Sequence, residues 1–239
     1  MMIKKQIPNI ITAFNLLSGL FAILATFENA LLWAGFFIAL GAFFDFFDGL
    51  AARLLNVKSD MGKEMDSLAD IVTFGVAPGF IVYQLMNQSV NLPDFSWFNF
   101  KIAPFLAFIL PVFSAFRLAK FNIDTRQTTS FIGLPTPASA LFFASLPFIL
   151  SATYSVNSVM LQNIIANYYI LLGLIVLISV LMVSELPLFS LKFSSLKLSE
   201  NKFRYFFLGI SLVSLVFLQI AAFPLIISFY IVLSIIENR

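Results

Sequence analysis

Asp45, Asp48, Asp66 and Asp70 fall within 26 residues of an otherwise oily chain, interleaved with Gly49, Ala52, Arg53 and Gly62. On helices, residues three or four apart project from one face about a turn from each other. Asp45 with Asp48 and Asp66 with Asp70 therefore make two pairs, and two helices suffice to bring four carboxylates together. A carboxylate near the centre of a bilayer costs about 2.5–3.5 kcal/mol on insertion scales, and four of them repel one another, so something positive must neutralise them. An all-oxygen cluster fits two divalent ions bridged by a shared carboxylate, an arrangement that clamps the attacking and leaving oxygens of a phosphoryl transfer. Gly49 lets a ligand approach the backbone, Ala52 keeps that face open, and Arg53 offers a bidentate fork to a phosphate. Lys58 and Lys63 add positive potential. Ion pairing alone does not account for the cluster, because Arg53, Lys58 and Lys63 face six acids: Asp45, Asp48, Asp60, Glu64, Asp66 and Asp70. A divalent-cation channel or carrier lined by the aspartates explains the charges but gives Gly49 and Arg53 no task.

The chain has no Cys and no His. Disulfides, thiolate nucleophiles, imidazole bases and the usual zinc or haem ligands are thereby excluded, and proton transfer falls to carboxylates, Lys or Tyr. Oxygen-only ligation selects hard ions such as Mg2+, Mn2+ or Ca2+.

The elements that must position these groups are membrane helices. The 239 residues are 60% hydrophobic and 11% charged, with 31 Phe, far from the roughly 25% charge of soluble domains. Crossing hydrocarbon takes about 20 helical residues, and such apolar runs recur over residues 9–28, 30–54, 63–87, 102–121, 136–153, 164–184, 205–220 and 221–237. The fold class is all-α and polytopic, a single integral membrane domain over 1–239 with a catalytic core at about 7–153 and further helices over 164–237. Pro224 between two apolar runs favours a hairpin over one long helix. The first run follows Lys4 and Lys5 without a small-residue cleavage site and is expected to be retained. With both termini cytoplasmic, every Lys and Arg but Lys101 falls on the inner side, as the positive-inside rule requires. The aspartates then sit at the cytoplasmic ends of the second and third spans.

Residues 88–101 and 154–163 read as interfacial connections. Residues 185–204 read as positive-inside bias alone or as an amphipathic segment on the anionic leaflet. Gly75, Pro78 and Gly79 mark a kink or a close helix contact. Arg117, within an apolar run, has two readings: a partner for an anionic substrate group, with Arg126 nearby, or a cation snorkelling at a helix end.

The string from Asp45 to Asp70 matches at all eight of its fixed positions the signature of the CDP-alcohol phosphatidyltransferases, and the chain resembles that family. The stretches IPNIITAFN from Ile7, GKEMDSLADIVTFGVAPG from Gly62, FRLAKFN and FIGLPTP resemble more closely its bacterial members that take serine as acceptor. The resemblance covers roughly the first 140 residues. Thr73 stands where Ser is expected and Lys120 where Arg is commoner.

That resemblance implies transfer of a phosphatidyl group from CDP-diacylglycerol to the hydroxyl of L-serine, releasing CMP. It implies two divalent ions, Mg2+ or Mn2+, held by Asp45, Asp48, Asp66 and Asp70, with Asp70 also the general base. Asn9, Thr12, Gly49, Ala52, Arg53, Ser59 and Gly62 would line the CDP pocket. Arg117 and Arg126 are the candidates for the serine carboxylate. A homodimer in the cytoplasmic membrane is implied as the assembly, and nucleic acid is not expected as a partner. Glycerol 3-phosphate is the alternative acceptor.

Overall fold

The computed structural model describes residues 2–57, 59–98, 100–124, 131–155, 159–189 and 201–237. Arg126, Lys58, Lys192, Lys197 and Arg239 lie outside them, as does most of the 185–204 segment.

The apolar runs fold as helices because backbone groups in hydrocarbon must pair within their own segment. Helix α1 (Met2–Phe27) turns at Asn29, whose φ is +56°, and returns as α2 (Leu31–Leu54). The two run antiparallel, Phe14 stacking on Phe44 and Phe21 meeting Phe37 at a tilt. Helix α3 (Asp60–Asp70) starts at Ser59, whose hydroxyl caps the Gly62 amide at 3.2 Å. It widens into a π-helical turn (Ile71–Val76) and resumes as α4 (Ala77–Asn87) with Pro78 in its first turn, where a missing N–H costs least. At its far end Gln84 and Gln88 both donate to Asn29. Gly75 and Gly79 both abut Pro111, the close-contact reading of those glycines.

A two-strand tie, β1 (Ser96–Trp97) with β2 (Phe100–Lys101), leads through a 3-10 turn (Ala103–Phe108) into α5 (Ile109–Ile123). Then come β3 (Phe131–Ile132), α6 (Thr136–Ser155), the short α7 (Val159–Ile165), α8 (Tyr168–Val183) and β4 (Pro187–Leu188), which pairs with β3. Helices α9 (Lys202–Leu218) and α10 (Phe223–Glu237) form a hairpin. The chain reverses at Gln219, φ +51°, so that Phe207 stacks on Phe229 and Arg204 lies 3.5 Å from Glu237.

Among the described residues six helical runs are long and apolar enough to cross a membrane, with α8 a shorter apolar helix. The last of the six, Lys202–Glu237, is the hairpin, so each of the eight expected segments is helical. The core gathers Ile38, Ile81, Leu110, Phe143 and Ile175 from α2, α4, α5, α6 and α8. Close approach depends on small residues: a Cβ on Gly35 would stand 2.4 Å from the Ala144 carbonyl oxygen. At one end of the bundle Lys63 reaches the Asn122 carbonyl, and Lys120 reaches the Val183 carbonyl and pairs with Glu185. The aspartates lie at this end and Lys101 at the other.

Candidate active site

The C-terminal half of α2 and the helix α3 bring their carboxylates together. Carboxylate oxygens of Asp45, Asp48 and Asp66 come within 4.8 Å of one another. Asp66 Oδ1 is buried and accepts no hydrogen bond among the described residues. A buried carboxylate oxygen without a donor is costly unless a cation meets it, and three carboxylates at this spacing form a hard-oxygen set suited to a divalent ion. Asp70 stands apart from that trio. Its Oδ1 accepts from Asn15 Nδ2 at 3.0 Å, while Thr12 donates to Asp48 Oδ2 at 2.7 Å. Thr73, in the π turn, donates to the Asn15 carbonyl at 3.0 Å, completing a path from Thr73 through Asn15 to Asp70.

Two cavities meet at the cluster. The first, about 380 Å³, is lined by Asn9, Thr12, Asp48, Gly49, Ala52, Ser59, Gly62 and Asp66, a size within the usual range for small-molecule sites. Gly62 packs tightly here, since a Cβ there would lie 3.0 Å from Asn9 Oδ1 and press on that side chain. Gly49 has open space beside it, its nearest neighbour being Arg53 Nη2 at 3.8 Å. Of the residues expected around this cavity, Arg53 alone is missing from its wall: it is exposed, and its Nε donates to the carbonyl of Gly49 one turn back.

The second cavity, about 270 Å³, lies across Asp66, which lines both. Asp45, Asp70, Arg117, Asn122 and Thr136 contribute to it, with Ser67, Phe121, Pro135 and Pro137. Arg117 is 4% exposed and sits over the Phe121 ring at 5.1 Å, so it does not snorkel to the surface. Asn122 donates to Ser67 Oγ at 2.8 Å.

The sequence reasoning passed over Asn15, Asn122 and Thr136. Asn15 carried a signal: Asn9, Thr12, Asn15 and Ser18 recur every third residue in an apolar helix, a polar stripe that must face protein. Asn122 and Thr136 lie within FRLAKFN and FIGLPTP, but nothing in their local pattern points at the aspartates.

The architecture and the cluster are those of an intramembrane phosphotransferase site, and residues 5–179 match the family model described as CDP-alcohol phosphatidyltransferase. The chain belongs to the CDP-alcohol phosphatidyltransferase family. It is similar to the CDP-diacylglycerol–serine O-phosphatidyltransferase of Bacillus subtilis strain 168, 40% identical over 144 residues, which are 60% of this chain and 76% of that protein. The enzyme of the same name from Helicobacter pylori strain J99 is 32% identical over 241 residues, covering 96% of this chain and 90% of its own. Likeness therefore extends past the first 140 residues. The archaetidylserine synthase of Methanothermobacter thermautotrophicus is 32% identical over 152 residues, 62% of this chain and 60% of that protein.

Proposed function

We propose that this chain transfers a phosphatidyl group from CDP-diacylglycerol to the hydroxyl of L-serine, yielding phosphatidylserine and CMP. The observation that carries this reading is the pair of cavities joined at Asp66. The first takes the cytidine diphosphate, with Asn9, Thr12, Ser59 and Gly62 around it and Gly49 giving the diphosphate access to the backbone. The second takes the acceptor. Two Mg2+ or Mn2+ ions held by the four aspartates would neutralise the diphosphate and polarise its phosphorus. Asp70, its Oδ1 held by Asn15, receives the serine hydroxyl proton on its other oxygen. The serine oxygen bonds to the lipid-linked phosphorus, the bond from that phosphorus to the bridging oxygen of CMP breaks, and CMP departs with the electron pair.

Serine is favoured over glycerol 3-phosphate by charge. Among the described residues Arg117 is the one cation lining the second cavity, which suits a monoanionic carboxylate better than a phosphate dianion. The relatives' names agree: they specify serine, including the one named for archaetidylserine. Positive-inside placement of the basic end puts both cavities at the cytoplasmic face of the cell membrane, where soluble serine and CMP exchange.

The test is purified protein with CDP-diacylglycerol, Mg2+ or Mn2+, and either serine or glycerol 3-phosphate, scored for CMP. Serine-dependent CMP release supports the reading; release with glycerol 3-phosphate alone overturns the acceptor; no release with either, together with ion uptake into vesicles, establishes a carrier. Arg117→Ala should raise the KM for serine about tenfold or more, the scale of a lost charged hydrogen bond, and leave the KM for CDP-diacylglycerol in place. An unchanged serine KM excludes Arg117 from carboxylate binding.

A further inference from the structure

We infer that a clasp between residues 131–134 and the segment following α8 sets acceptor affinity, by holding the wall of the second cavity from the C-terminal hairpin. The inference rests on the assignment of that cavity to the acceptor.

Pro135, Thr136 and Pro137 form one wall of the cavity. Immediately before them Gly133 adopts φ +75° and its N–H donates to the Leu186 carbonyl at 2.9 Å, while Leu134 N–H donates to the Leu181 carbonyl at 2.9 Å. No other residue fits at Gly133. A Cβ would stand 2.5 Å from the Met182 carbonyl oxygen and 2.9 Å from that of Ser184, and the backbone is left-handed besides. Phe131 and Ile132 pair with Leu188 and Pro187.

The other side of the clasp is fixed in turn. Phe189 follows β4; its carbonyl accepts from Tyr230 Oη at 2.8 Å, its N–H donates to Ser234 Oγ at 3.4 Å, and its ring packs on Phe207 and Tyr230. Hydrogen bonds linked by short stretches of chain therefore run from α10 to Phe189, from β4 and the end of α8 to residues 131–134, and so to the acceptor wall that follows them. Residues 181–189 and the hairpin fall beyond the 5–179 that match the family model, so this support is added to the shared core from outside it. The first cavity has no wall on the path.

The experiment compares serine and CDP-diacylglycerol KM in Gly133→Ala, Tyr230→Phe and Arg117→Ala. Gly133→Ala should raise the serine KM about tenfold and Tyr230→Phe about twofold or more, both with the donor KM unchanged. Tyr230→Phe keeps the ring and removes only the hydroxyl, so it decides the matter if Gly133→Ala does not fold. A serine KM raised by Arg117→Ala but by neither clasp variant overturns the clasp alone. Equal rises for both substrates reduce it to general support of the fold and overturn it too. A serine KM unmoved by all three removes the acceptor assignment and the inference with it.

Discussion

Asp70→Asn is expected to cut turnover by about 100- to 10,000-fold, the usual contribution of a positioned acid–base group, while CDP-diacylglycerol still binds. The substitution is nearly isosteric, and the new amide oxygen can accept from Asn15 as Asp70 Oδ1 does at 3.0 Å. What disappears is the ability to take up a proton, together with one of the four anionic groups proposed to hold the ions, and with no His in the chain no imidazole can replace the base. Donor binding survives because Asp70 lies outside the first cavity. Asp66→Asn should lose both properties, since Asp66 lines both cavities. CMP release and CMP binding measured on the same preparations separate the two variants. An active Asp70→Asn enzyme would end the role assigned to that carboxylate.

Gly41→Ala is expected to destabilise the protein severely, and Thr73→Ser in the same chain to rescue it. A Cβ at Gly41 would stand 2.4 Å from Thr73 Cγ2 and 3.2 Å from Asn15 Oδ1, directly against the groups that hold Asp70. Overpacking of this kind costs about 1–3 kcal/mol, and here it also displaces Asp70, the carboxylate we propose as base, so activity should fall further than stability. Serine at position 73 lacks the clashing methyl and keeps the hydroxyl that donates to Asn15. The matching change in α1 behaves differently. Gly19→Ala would meet Thr73 Cα at 2.8 Å as well as Oγ1 at 2.5 Å, and no side-chain trimming moves a backbone atom. Thermal unfolding in detergent, read beside CMP release, should therefore show rescue of Gly41→Ala by Thr73→Ser and none of Gly19→Ala. Rescue of both, or of neither, refutes this view of the seam.

The eight helical segments were legible because hydrocarbon leaves so few options for an apolar run. The boundaries moved by a few residues, and the last two runs do form a hairpin, although the reversal falls at Gln219 and leaves Pro224 inside α10. The pairing of Asp45, Asp48 and Asp66 was readable from helical spacing, as was most of the wall of the first cavity from resemblance. Arg53 was not, because its position on α2 is compatible with pointing at the cavity or lying along its own helix, and it does the latter. The π turn after Asp70 and the β3–β4 tie left no trace either. A two-residue strand carries no periodicity, and one widened turn shifts the hydrophobic phase by less than a helical reading resolves. Asn122 and Thr136 reach the second cavity only through tertiary contacts distant in sequence.

The polar stripe on α1 has a mechanical consequence. Thr12 is tied to α2 through Asp48, and Asn15 is tied to α3 and its π turn through both its amide and its carbonyl. These rungs are three residues, about 4.5 Å, apart along the axis, and each joins groups that would otherwise lie unpaired in a medium without water. Sliding α1 by a single turn would break all of them together. The first helix is thus a ruler laid across the other two: it fixes the height of Asp48 on α2 against that of Asp70 on α3, and so the register in which the carboxylates meet.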